Sequence, residues 1–126
     1  MPLTNAGTNI IANALEGVSY TAFNAANAYL GVGDNVTAFV KTQTDLQAST
    51  NKIRKGMDAT FPTLAGNVMT FQATFGTSDA NFDWNEWGLF NDPTSGIMLN
   101  RKAAFLGTKN SSQTWVLVGI LIVNNP

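Results

Sequence analysis

From Val68 to Phe75 the chain alternates strictly, with Met69, Phe71, Ala73 and Phe75 apolar and Thr70, Gln72 and Thr74 polar. Successive side chains of a strand point to opposite faces, so this spacing predicts a half-buried strand. Two aromatic, β-prone runs follow, Asn81–Phe90 and Ile97–Phe105. They flank Asn91-Asp92-Pro93-Thr94-Ser95-Gly96, a cluster of turn formers, which predicts a β-hairpin. Trp115–Val123 is apolar on both faces and fits a strand buried on two sides, either between sheet layers or between sheet and subunit, with Asn124-Asn125-Pro126 ending it. Near the start the period changes. Ile10, Ile11, Ala14 and Leu15 recur at helical spacing, with Thr4 or Asn5 able to cap the helix and Gly17 to stop it. Between helix and strands, Tyr29–Gly33 reads as a short strand and Thr42–Ala48 as one helical turn. Asn51–Met57 alternates weakly and fits an edge strand guarded by Lys52, Arg54 and Lys55.

This order predicts one domain over residues 1–126, with a helix at about 4–16 and a β-rich body at about 28–123. The fold class is mainly β: an antiparallel β-sandwich with an N-terminal α-helix.

The hairpin carries the most specific expectation. If it closes with Phe90 opposite Ile97, Gly88 faces Leu99, Glu86 faces Arg101, Trp84 faces Ala103 and Phe82 faces Phe105. All project from one face, which is apolar apart from one acid and one base. A carboxylate on such a face is costly unless paired, so Glu86 and Arg101 are predicted to form a structural ion pair shielded from water.

Composition narrows the function. The 126 residues include no Cys and no His, which removes disulfides, thiolate chemistry, Ser-His-Asp catalysis and most transition-metal sites. Charged residues are 12% of the chain, about half the usual share, which suggests that sister subunits cover part of the surface. The net charge of −1 offers no footprint for nucleic acid or anionic membrane. No apolar run reaches the about 18 residues of a membrane span, and Met-Pro-Leu-Thr-Asn does not open a signal peptide. The expectation is no cofactor, no metal, no nucleic-acid or membrane partner, and no enzyme.

Some residues invite sharper chemistry. Asp83 and Glu86 suggest a carboxylate pair for glycoside hydrolysis, but positions three apart on a strand point to opposite faces. Trp84 and Trp87 also fall on opposite faces. Trp84 is therefore assigned to packing, and Trp87, with Leu89 on its side, to a possible subunit contact. Trp115 and Leu117, in the two-sided run, are the other candidates for that contact. Trp87 and Tyr29 are the only aromatics considered for a sugar-stacking platform. Asp34 and Asp92 lack the oxygen spacing of a calcium loop and read as turn residues.

The chain resembles small virion proteins of tailed bacteriophages. The resemblance begins at Leu3-Thr4-Asn5-Ala6-Gly7 and continues through Ala28–Asp34, Thr37-Ala38-Phe39 and Thr42–Leu46. Its most specific block is Phe75-Gly76 through Asn81–Asn91, with Met98–Lys102 beyond. That block is similar to the pattern E-x-G-L-F … G-x-L-L-x-R of tail-associated and fibre-anchoring proteins. The resemblance implies assembly into a virion in the bacterial host cytoplasm, as a homo-oligomer (a trimer first) bound to neighbouring virion proteins, without catalysis. No long receptor-binding region follows the last strand, which favours a compact tail or fibre-attachment adaptor over a full fibre. A capsid decoration protein is the alternative, and a carbohydrate-binding module a more distant one.

Overall fold

A short amphipathic helix and seven strands make up the described part of the chain, residues 2–124 of the computed structural model; Asn125 and Pro126 lie outside it. Helix α1 spans Asn5–Glu16. Thr4 caps it, its hydroxyl accepting from the Gly7 N–H, and Gly17 ends it in the left-handed conformation that glycine adopts without cost. The strands are β1 (Tyr29–Gly33), β2 (Lys52–Gly56), β3 (Thr63–Ala65), β4 (Val68–Phe75), β5 (Asp83–Phe90), β6 (Met98–Thr108) and β7 (Trp115–Ile122).

Two antiparallel sheets pack as a sandwich. One has the order β2-β1-β5-β6 and the other β3-β4-β7. The expected fold class is therefore the observed one, and β1 and β4 have the expected bounds. The core between the sheets is built from Leu30 and Val32 of β1, Phe71, Ala73 and Phe75 of β4, and Trp84 and Leu89 of β5. Trp84 meets Phe75 and Trp115 edge-to-face, at 4.8 and 5.0 Å between ring centroids, and donates its indole N–H to the Ala80 carbonyl. Helix α1 lies against the start of β6, tied there by the Thr4 N–H to the Leu99 carbonyl at 3.0 Å.

One local expectation fails. Thr42–Ala48 forms no helical turn. Residues 34–51 instead run as an irregular strap between β1 and β2, across the side of the first sheet that faces away from β4 and β7. A connection exceeding about 12–15 residues without regular structure needs its own anchors. Here one anchor is Leu46, which packs with Tyr29, Phe90 and Met98 in a second, smaller core. The three-residue strand β3 was also not anticipated; it is too short to show alternation.

Candidate functional site

The hairpin β5–β6 pairs differently from the simple count. Phe90 opposes Met98, Leu89 opposes Asn100, Gly88 opposes Arg101 and Glu86 opposes Ala103. Trp84 opposes Gly107. The register shifts twice, between Leu89 and Phe90 and between Trp84 and Glu86, and each time β6 holds the extra residues. Such bulges bend a strand and re-aim its side chains. Closure one residue later than the count, at Met98, and the first bulge together displace Arg101 from opposite Glu86 to opposite Gly88. The second turns Trp84 to the inter-sheet core, away from the Glu86 side, and Phe82 and Phe105 do not pair.

Glu86 and Arg101 nevertheless meet, as diagonal neighbours on one face. The Arg101 Nε donates to Glu86 Oε2 at 2.6 Å, and both side chains are 0% exposed. Their face is not the inter-sheet core but the opposite one, beneath the strap. Glu86 accepts the Gln47 N–H on Oε2 and the Ala48 N–H on Oε1, each at 2.8 Å. Arg101 donates from Nη2 to the Thr37 carbonyl at 2.8 Å and from Nη1 to Gln43 Oε1 at 3.2 Å. The pair thus clamps both arms of the strap to the sheet. Gly33, opposite Glu86 on β1, leaves the room that the carboxylate occupies, since a Cβ there would collide with Oε1.

A second polar cluster pins the rest of the strap. Asp45 bridges Lys52 at 2.8 Å and Arg54 at 3.1 Å. Burial pushes the Asp45 carboxyl up, but hydrogen bonds from Lys52, Arg54 and the Leu46 N–H outweigh it and hold the group below its ordinary 3.8. Arg54 also stacks on the Phe90 ring at 3.6 Å and donates to the Asp92 and Ser95 carbonyls, tying the β5–β6 turn to β2. Sequence reading assigned Lys52, Arg54 and Lys55 to a guarded edge, and β2 is an edge strand. The inward roles of Arg54 went unseen, because they depend on a turn distant in sequence. So did buried Lys109, whose Nζ donates to the Gly76 carbonyl at 2.6 Å and Asn81 Oδ1 at 2.8 Å.

Of the four side chains assigned to subunit contact, Leu89 requires correction. Leu89 is 1% exposed and belongs to the inter-sheet core. Trp87, Trp115 and Leu117 are partly buried and packed against that same core. Trp87 lies over Gly119, filling the space a side chain there would take. Trp84 and Trp87 therefore share the inner layer, which the irregular ladder at Asn85 permits. The exposed side chains of β7 are the alternate set, Val116, Val118, Ile120 and Ile122, each about half exposed. On β4 their neighbours are Thr74, Gln72, Thr70 and Val68, so a stripe of four β-branched residues borders a mostly polar surface.

The remaining chemistry is modest. Asp83 accepts from the Thr108 hydroxyl at the exposed start of β5, whereas Glu86 is buried under the strap, so these two carboxylates flank no common cleft. Asp92 accepts the Thr94 and Ser95 N–H groups and Asp34 accepts from the Asn51 amide, as turn residues do. Among the described residues no group of three or more His, Cys, Asp or Glu is placed to hold a metal, and no helix is long and apolar enough to cross a membrane. A cleft of about 360 Å³ between α1 and the β5–β6 turn is lined by Asn9, Asn13, Tyr20 and Asn91 among others. An apolar pocket of about 240 Å³ lies under α1, against Met69, Phe71 and Leu121. In the first, the Asp92 carboxylate is engaged by the Thr94 and Ser95 N–H groups and not by the Ser19 or Tyr20 hydroxyl. Compared with known proteins, the chain matches no family model and no curated protein sequence.

Proposed function

We propose that this protein is a non-catalytic structural subunit of a tailed-phage virion, acting at the tail or the tail-fibre attachment. The observation that carries the reading is where the virion-like sequence block falls. Glu86-Trp87-Gly88-Leu89-Phe90 and Met98-Leu99-Asn100-Arg101 supply the buried ion pair, the strap clamp and parts of both cores. The residues behind the resemblance are thus spent on a rigid hairpin, and the buried Glu86 carboxylate is occupied by three donors. Such a scaffold works by shape. It presents a stiff sandwich to sister copies, in a closed homo-oligomer, and to the next virion protein.

The test is position in the particle. Antibodies raised against the purified chain should label intact particles of the phage that encodes it at the tail or its fibre junction. Labelling over the capsid would move the assignment to decoration of the head, and particles that carry no label and no copy of the chain would overturn it.

A further inference from the structure

The sandwich has four edge strands, and three of them are protected. Strand β2 carries Lys52, Arg54 and Lys55, and β3 is only three residues long. Strand β6 carries exposed Lys102 and two register shifts, and its leading end is covered by Leu3 and Thr4. These are the usual devices by which a sheet avoids pairing with another chain. Strand β7 has none of them. Its eight residues pair with β4 in unbroken register on one side, and among the described residues no strand pairs on the other. It contains no charge and no proline, and its outward side chains are the half-exposed Val116, Val118, Ile120 and Ile122.

We propose that β7 is a self-association edge: two copies join antiparallel through β7, about a two-fold axis at Gly119, into one continuous six-stranded sheet. The occupant is a second copy because the strand is complementary to itself. With Gly119 opposite Gly119 of the second copy, Val116 meets Ile122, Leu117 meets Leu121 and Val118 meets Ile120. Every pair matches aliphatic with aliphatic, and the outer pairs are β-branched, the type favoured across strands. The contact is isologous and therefore closes at two copies. The open backbone groups of both edges are then satisfied together.

The extent of the edge sets the strength. Eight residues at about 3.4 Å each give about 27 Å of paired edge. Exposed Leu106 shares a surface pocket with Trp115, Val116 and Leu117 and extends the contact sideways. A contact limited to one strand edge and its flanking side chains belongs to the small, weak class of interface, so a concentration-dependent dimer is expected, in the micromolar range or above. The inference deepens the self-association in the proposed function and replaces the three-fold arrangement with a two-fold one at this edge. It is read on the isolated chain, so its failure leaves particle labelling untouched, and failed labelling leaves it intact.

Sedimentation of the purified chain from about 1 μM to 1 mM should show a monomer–dimer equilibrium. Val118→Lys should weaken it at least about tenfold, while Val36→Lys, on the exposed strap, should not change it; circular dichroism confirms that both fold. The register is tested by cross-linking, because the chain has no native cysteine. A mixture of Val118→Cys and Ile120→Cys chains should oxidise to a disulfide-linked dimer in higher yield than either alone. Directly opposed residues fall within disulfide reach, whereas diagonal ones are about 7–8 Å apart. A monomer throughout, or a larger oligomer indifferent to Val118→Lys, overturns the proposal. A mixture that cross-links no better than its components overturns the register.

Discussion

Replacing Arg101 with Met tests the reading of the hairpin most directly. The substitution keeps an unbranched apolar stem and removes the charge, leaving the Glu86 carboxylate buried with only the Gln47 and Ala48 N–H groups. Breaking a buried pair from one side costs about 3–5 kcal/mol, because the surviving charge has lost its partner and water cannot replace it. Unfolding entropy of about 2.1 cal/mol/K per residue over 126 residues gives about 0.26 kcal/mol per kelvin, so the melting temperature should fall by about 11–19 °C. Exchanging both partners, as Glu86→Leu with Arg101→Met, is often neutral for a buried pair. Here it should not be. It strands the buried Ala48 N–H, and a buried polar group without a partner costs about 1–3 kcal/mol, while the Gln47 N–H and Thr37 carbonyl lie nearer the surface and add less. The double variant should therefore stay at least that much less stable than the parent. Urea denaturation measures the loss. Amide exchange locates it, with protection at Gln47 and Ala48 falling more than at Phe71 in the inter-sheet core. A loss below about 1 kcal/mol for Arg101→Met, the range of an exposed pair, would refute the reasoning. So would unchanged exchange at Gln47 and Ala48.

Other outcomes are simpler to state. Asp45 is held below its ordinary 3.8 by its bonds to Lys52, Arg54 and the Leu46 N–H, against burial, and Asp79 by Lys55 and the Gly76 N–H. Depressed carboxyls stabilise the fold above their unfolded pKa and lose that contribution as pH falls through the folded value. Melting temperature should thus be level above about pH 5 and decline below about pH 4, less steeply in Asp45→Asn. Gly7→Ala adds about 1 kcal/mol of helix propensity but drives a Cβ into the Leu99 carbonyl. A net loss of stability is expected, and a rise in melting temperature would show that α1 does not sit this close to β6. Incubation with glycan and cell-wall substrates should yield no turnover above background. Turnover abolished by Glu86→Gln in a folded chain would overturn the non-catalytic reading.

Wherever a signal was local, the sequence by itself determined the outcome. The cap at Thr4 and stop at Gly17 need only neighbouring residues, and so does the alternation that gives β4 its inward Phe71, Ala73 and Phe75. That Glu86 and Arg101 pair was also legible, because two opposite charges on one otherwise apolar hairpin face have no cheaper arrangement. Only the tertiary structure decided their register. The extra residues in β6 fall where α1 rests on Leu99 and where Trp84 packs with Phe75 and Trp115, contacts between elements far apart in the chain. The strap was equally hidden: residues 34–51 have no period, and their anchors, Glu86, Arg101, the Leu46 pocket and the Lys52–Arg54 pair on Asp45, come from other elements, most of them distant in the chain. The sidedness of β7 shows the limit most clearly. A run apolar on both faces has no inside until a partner sheet takes one of them. The core took Trp115, Leu117 and Leu121, and left Val116, Val118, Ile120 and Ile122 facing out.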